Sequence, residues 1–154
     1  MMTSTATVTQ TSRTFRIQCA AAIHVRATPQ RIWSLLTNAA DFPRWNSTVT
    51  RISGTIAQGE RLALEVAAAP GRTFRPRVAR LEPERLMVWS DGFAPMFKGV
   101  RTFSLAPSGG GTTFSMVEVL SGVMLPMIKG SLPDFGPSFQ AYAVDLRREA
   151  ERAA

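Results

Sequence analysis

Two alternating segments joined by a glycine-rich turn restrict the possible folds of this chain most strongly. In residues 99–105 and 113–120, apolar and polar side chains alternate, which is the pattern of a strand with one buried face. Residues 108–111 between them predict a four-residue hairpin loop. That register places Arg101 directly opposite Glu118, and both lie on apolar faces. The hairpin therefore predicts an ion pair on the inner face of an antiparallel sheet.

The predicted ion pair has two interpretations. Charged side chains are rarely buried without a partner, so Arg101 and Glu118 could serve only to hold the sheet together. They could instead bind the polar end of a molecule in a cavity, and the sequence leaves both interpretations open. Tyr142 is a third candidate, because its hydroxyl could donate a hydrogen bond into the same space.

The preceding part of the chain consists mainly of strands. Alternating segments lie at residues 15–26, 48–53, 61–67, 73–81 and 85–90, and glycine or proline separates most of the later ones. Together with the hairpin they predict an antiparallel meander of seven strands. Two short helices follow the first strand, and Thr28 with Pro29 is the expected start of the first helix.

The chain ends in one long helix. Phe135, Phe139, Tyr142 and Leu146 recur at intervals of four, three and four residues, which is one apolar stripe of a helix. A curved seven-stranded antiparallel sheet wrapped around this helix would bury both elements, so the predicted fold class is α+β. Residues 15–154 are predicted to form this single domain, and residues 1–14, rich in Thr and Ser, a disordered tail.

The formal net charge of +7 raises the question of nucleic-acid binding. The sixteen arginines are spread along the chain, and only Phe74 is interleaved with their densest group, so we expect a solvated outer face and no nucleic-acid partner. No segment approaches the roughly 20 apolar residues that span a bilayer. The N-terminal segment also lacks the apolar core of a signal peptide. We expect a cytoplasmic monomer or homodimer.

Catalytic and metal-binding motifs are scarce. His24, the sole histidine, falls on the polar side of its strand, and Cys19 falls on the apolar side, so the two cannot form a catalytic couple. Cys19 is expected to be a small buried apolar residue. No group of His, Cys, Asp and Glu has the spacing of metal ligands, and the glycine run lacks the lysine and the helix of a phosphate loop. We therefore expect neither a metal nor a cofactor.

Several segments of the sequence are similar to segments found in one known family. They are residues 27–37, 42–45, 103–107, 110–114 with Glu118 and Gly122, and 145–152. These runs resemble the polyketide cyclase/dehydrase and lipid-transport family of the START/Bet v 1-like (SRPBCC) superfamily. The resemblance implies a helix-grip fold with a cavity between the sheet and the C-terminal helix, usually holding an apolar small molecule.

The resemblance also indicates where a ligand would bind. The apolar loop at residues 91–99 is expected to act as a lid at the cavity mouth or to be a satellite packing cluster, and a turn within residues 122–132 is expected to close the same mouth. The space is expected to measure roughly 300–1,000 Å³. The expected ligand-binding residues are Phe74, Phe93, Phe97, Arg101, Phe103, Phe114, Met116, Glu118, Met127, Phe135, Phe139 and Tyr142.

Three functions follow from this fold. The leading hypothesis is a non-catalytic carrier or sensor of a lipid, polyketide, quinone or similar molecule. The alternative is a polyketide aromatase/cyclase-like enzyme, in which Arg101, Glu118 and Tyr142 would polarise carbonyls or move protons. A second alternative is a co-chaperone-like protein-binding module. A carrier needs an apolar cavity, an enzyme needs polar groups converging inside it, and a binding module needs an exposed apolar patch.

Overall fold

Six antiparallel strands form the main sheet, and two shorter strands form a second one. The computed structural model describes residues 6–152. In chain order the strands are β1 (Thr7–Arg13), β2 (Arg16–Val25), β3 (Val49–Ser53), β4 (Ala63–Val66), β5 (Arg77–Glu82), β6 (Leu86–Phe93), β7 (Phe97–Ser108) and β8 (Gly111–Ser121). The main sheet has the order β1-β2-β8-β7-β6-β5, and β3 pairs with β4. Two backbone hydrogen bonds between Leu64 and Phe74, at 2.7 and 2.8 Å, connect β4 to the chain that leads into β5.

Four helices complete the fold. They are α1 (Pro29–Leu36), α2 (Phe42–Trp45), α3 (Leu125–Ile128) and α4 (Phe135–Glu151), with 3₁₀ turns at Ala39–Asp41 and Lys129–Ser131. The Thr28 hydroxyl accepts the Arg31 N–H at 3.1 Å, so the first helix begins as predicted. The Asp134 carboxylate accepts the Gly136 N–H at 3.0 Å and caps the long helix α4.

The apolar stripe of α4 packs against the sheet. Phe139, Tyr142 and Leu146 are buried. The Tyr142 ring stacks on Phe114 with their centroids 6.1 Å apart and lies equally far from Phe103. These contacts produce the predicted α+β helix-grip architecture, in which a large antiparallel sheet packs on a long C-terminal helix.

The N-terminal segment differs from its prediction. Residues 1–14 are predicted to be a tail, but Thr7–Arg13 forms β1 and pairs with β2. β1 is an edge strand with mostly exposed side chains, so it needs no apolar alternation, and main-chain pairing holds it in place. Residues 1–5 lie outside the described part of the chain. The sheet count is thus six plus two within residues 6–152, where one sheet of seven strands is predicted.

The β7–β8 hairpin has the predicted register with a tighter turn. Arg101 pairs with Glu118, and the pairing continues to Ser108 and Gly111. Only Gly109 and Gly110 remain in the turn, with φ values of 39° and 79°. This left-handed backbone is what a two-residue hairpin turn requires, and glycine adopts it without strain.

Candidate functional site

A cavity of about 110 Å³ lies between the sheet and the start of α4. Its lining residues are Leu64, Val66, Phe74, Pro76, Trp89, Asp91, Gly99, Arg101, Glu118, Pro133 and Phe135. Most of this wall is apolar. Gly99 leaves room beside the ion pair, because a Cβ at that position would lie 3.3 Å from the Glu118 Oε2 atom. The cavity is therefore an apolar space with one charged section of wall.

The charged section is the predicted ion pair. The Arg101 Nε donates to Glu118 Oε1 at 2.7 Å, and the two side chains are 20% and 14% exposed. The guanidinium also lies over the Phe139 ring, with its Cζ atom 5.1 Å from the ring centroid. Since only Nε bonds to Glu118, the terminal nitrogens of Arg101 have no hydrogen-bond partner among the described residues. They are free to donate to an acceptor in the cavity.

Tyr142 supplies a second unpaired donor. A smaller cavity of about 30 Å³ lies beside it, and Val66, Arg101 and Phe135 border both cavities. The Tyr142 hydroxyl is buried and has no hydrogen-bond partner among the described residues. Burial raises the pKa of Tyr142 well above its usual value, an effect that the Arg101 charge opposes only in part. The hydroxyl therefore keeps its proton and can donate.

Trp89 is a third donor, and it is not among the residues predicted from the sequence. It pairs with Arg101 across β6 and β7, lines the larger cavity, and is buried. Its indole N–H has no hydrogen-bond partner among the described residues. Trp89 could have been predicted from its cross-strand pairing with Arg101. That pairing follows only if residues 91–99 are recognised as part of the β6–β7 hairpin.

Several expected ligand-binding residues do line the two cavities. Phe74, Arg101, Glu118 and Phe135 border the larger one. Arg101, Met116, Phe135, Phe139 and Tyr142 border the smaller one.

Phe103 and Phe114 line neither cavity. Both are fully buried and pack against Tyr142 in the region where open space was expected. This aromatic packing explains why the larger cavity, at about 110 Å³, is smaller than the expected range of roughly 300–1,000 Å³.

Phe93, Phe97 and Met127 also lie away from the lining of both cavities. Residues 91–99, expected to be a loop that acts as a lid or as a satellite packing cluster, are instead the paired end of β6 and β7, where Phe93 pairs with Phe97. Phe93 and Met127 are 70% and 76% exposed. The predicted turn within residues 122–132 is present as α3 and the 3₁₀ turn that follows it.

His24 and Cys19 lie on opposite faces of β2, as predicted. His24 is exposed, with its Nε2 atom 2.9 Å from the Ser108 carbonyl oxygen, and Cys19 is buried. Burial raises the pKa of the Cys19 thiol to about 11, so it stays protonated near neutral pH. Within residues 6–152, no cluster of three His, Cys, Asp or Glu side chains is arranged to hold a metal ion.

Comparison with known proteins identifies the family. A family model described as polyketide cyclase / dehydrase and lipid transport matches residues 6–150. The chain belongs to this family. No curated protein matches it. Among the described residues, no helix has the length and apolar character needed to cross a membrane.

Solved structures share the fold at low sequence identity. The di-domain ARO/CYC BexL from the BE-7585A biosynthetic pathway is 12% identical with a TM-score of 0.67, and the match covers 93% of this chain and 52% of BexL. The Aha1 dimer from Colwellia psychrerythraea is 15% identical with a TM-score of 0.66, and the match covers 88% and 96% of the two chains. A protein from Rhodobacter sphaeroides is 20% identical with a TM-score of 0.64, covering 93% and 97%.

Proposed function

We propose that this family member binds a hydrophobic small molecule that carries a hydrogen-bond acceptor at one end, and that it acts as a carrier or sensor. One observation carries the proposal: three unpaired donors belong to the lining of two adjoining, largely apolar cavities. They are the terminal nitrogens of Arg101, the Tyr142 hydroxyl and the Trp89 indole N–H. The Tyr142 hydroxyl and the Trp89 indole N–H are buried without a partner among the described residues. Such a group costs about 1–3 kcal/mol, so a ligand acceptor that pairs with it recovers free energy on binding.

The charge of the site favours a neutral acceptor. Arg101 and Glu118 neutralise each other at 2.7 Å. A ligand carboxylate would gain from the guanidinium but would also lie near the Glu118 carboxylate, which repels it. A ketone, quinone or similar carbonyl oxygen accepts the same hydrogen bonds without that repulsion. We therefore expect a methyl ketone to bind more tightly than a fatty acid of the same chain length.

Filling the cavity tests the proposal. Val66 borders both cavities, so Val66→Trp places an indole ring in the proposed binding space. We expect it to weaken binding of the neutral apolar dye Nile red, measured by fluorescence, by at least tenfold. Methyl hexyl ketone should displace the dye from the unmodified protein.

Ala67→Trp is the matched control, because Ala67 is the next residue and is exposed. It adds the same ring outside the cavity and should leave dye binding unchanged. Equal dye binding by all three proteins would contradict binding in this cavity.

An aromatase/cyclase-like enzyme is the second candidate. The observation that favours it is the convergence of Arg101, Glu118 and Tyr142 beside the cavities, since such groups can polarise a carbonyl and move a proton. The two functions are separated by incubating the protein with a linear poly-β-ketone thioester. A carrier returns the thioester unchanged, whereas an enzyme converts it to a cyclised product in a step that depends on Glu118.

A further inference from the structure

Among residues 6–152, the large apolar side chains that remain exposed lie together at one end of the fold. They are Phe15, Phe93, Met96, Val123 and Met127, with exposed fractions of 55%, 70%, 41%, 54% and 76%. We call these five residues the apolar tip. Single exposed apolar residues are common, but a group of five at one place marks an interaction surface.

Backbone hydrogen bonds hold the tip together. The N–H groups of Gly122, Val123 and Met124 donate to the carbonyl oxygens of Phe15, Pro95 and Met96, at 3.1, 2.9 and 3.0 Å. The segments meet closely at Gly122, where an added Cβ would lie within 2.3 Å of the Met96 oxygen. These contacts fix three segments against one another: the β1–β2 turn, the β6–β7 turn and the segment before α3. The apolar tip is therefore a preformed surface.

Four basic residues lie next to the apolar tip along the chain. Arg13 and Arg16 flank Phe15, and the only two lysines in the chain, Lys98 and Lys129, lie in β7 and in the turn after α3. None of these four residues forms an ion pair with a carboxylate in residues 6–152. The surface thus combines exposed apolar side chains with unpaired positive charge.

We propose that the apolar tip docks on a bilayer that contains anionic phospholipids. Unpaired cations are attracted to anionic headgroups, and exposed apolar side chains insert at the boundary with the acyl chains. A second copy of this chain fits the surface poorly, because the two faces would bring eight unpaired cations together, four from each copy. Nucleic acid would complement the charge but not the five apolar side chains.

Docking would bring the cavity close to the bilayer. Asp91 and Gly99 line the larger cavity, and each lies two residues along its strand from Phe93 or Phe97. A docked molecule could therefore exchange an apolar ligand with the membrane. This consequence rests on the proposed function, whereas the docking itself does not.

Vesicle flotation tests the docking. The full chain should float with phosphatidylcholine vesicles that contain phosphatidylglycerol and should bind pure phosphatidylcholine weakly. Phe93→Ser with Met127→Ser should reduce affinity at least ~tenfold, because both side chains are mostly exposed and would lose their insertion into the bilayer. Lys98→Gln with Lys129→Gln should reduce it by about fivefold for each lysine.

Arg26→Gln with Arg85→Gln is the charge control, and it also breaks the exposed ion pair of Arg85 with Glu82. It removes the same charge at the opposite end of the sheet, where Val25 pairs with Thr112 and Arg85 bonds to Leu105. This variant should bind vesicles like the unmodified protein. Met127→Ser alone, at an exposed position of the short helix α3, provides a milder variant if the double substitution at the apolar tip impairs folding.

Three results would overturn the docking proposal. One is no flotation of the unmodified protein with phosphatidylglycerol vesicles. Another is equal loss of binding in both charge variants, which would indicate attraction to the net charge as a whole. The third is a dimer in sedimentation velocity that Phe93→Ser with Met127→Ser converts to a monomer while vesicle binding is absent. Displacement of Nile red by methyl hexyl ketone, measured on every variant without vesicles, reports the cavity separately, so failure of docking and failure of ligand binding are distinguishable.

Discussion

Arg101→Leu is expected to lower the free energy of unfolding by about 2–4 kcal/mol, because it leaves the Glu118 carboxylate without its partner in a mostly buried position. The expected loss lies toward the lower end of values for buried pairs, since the two side chains retain 20% and 14% exposure. Urea unfolding measures it directly.

The double variant Arg101→Leu with Glu118→Leu separates structure from function. Replacing both members of a buried pair by apolar groups is often nearly neutral, so its stability should lie within about 1 kcal/mol of the unmodified protein. The exposed pair Arg61–Asp91, 4.0 Å apart, is the control, and its coupling should stay below about 1 kcal/mol. Additive effects of the two single substitutions at Arg101 and Glu118 would contradict the pairing.

Binding by this double variant tests the role of the pair toward a ligand. If Arg101 donates to a ligand carbonyl, the variant should lose its preference for methyl hexyl ketone over octanoate, measured by dye displacement. Retained preference would mean that the pair is purely structural, which the sequence alone left open.

Tyr142→Phe is expected to change the free energy of unfolding in the opposite direction to Arg101→Leu. The Tyr142 hydroxyl is buried without a hydrogen-bond partner among the described residues, so removing it should raise the free energy of unfolding by about 1–2 kcal/mol. The same change should weaken binding of methyl hexyl ketone by about tenfold, because the ligand loses one donor. Urea unfolding and dye displacement measure the two effects.

Phe135→Leu is a useful comparison, because it changes the lining of both cavities without removing a donor. It should change the affinity for the ketone and for an alkane of similar size in the same direction.

A loss of stability in Tyr142→Phe would contradict an unpaired hydroxyl.

The elements that the sequence predicted best carry strong local patterns. The β7–β8 register follows from alternation on both sides of a glycine-rich turn, and Arg101 lies opposite Glu118 as predicted. The long helix follows from its apolar stripe, which is buried from Phe139 to Leu146. In both cases the periodicity of a single segment determines which face is buried.

The features that the sequence did not predict depend on tertiary packing. β1 is held by main-chain pairing at a sheet edge, which leaves little trace in its side chains. The position of the open space depends on how Phe103, Phe114 and Tyr142 pack together, which is a property of three separate elements. The Trp89 donor was missed because an unpaired indole N–H is defined by the absence of a neighbour.

The apolar tip also could not be predicted from the periodicity of the sequence. Phe93 and Met127 belong to apolar runs, so the sequence predicts that they cover a cavity. Their exposure follows from the pairing of Phe93 with Phe97 and from the hydrogen bonds that fix Val123 and Met124 against the β6–β7 turn.

The indole N–H signal of Trp89 in a nitrogen–proton correlation spectrum provides the most direct test of ligand binding. The chain has three tryptophans, so three indole signals are expected, and Trp89→Phe assigns the relevant one. Methyl hexyl ketone should shift the Trp89 signal until it saturates and leave the signal of Trp33, which does not line the cavity, in place. A Trp89 signal that does not move, or equal shifts of all three signals, would contradict binding at this site.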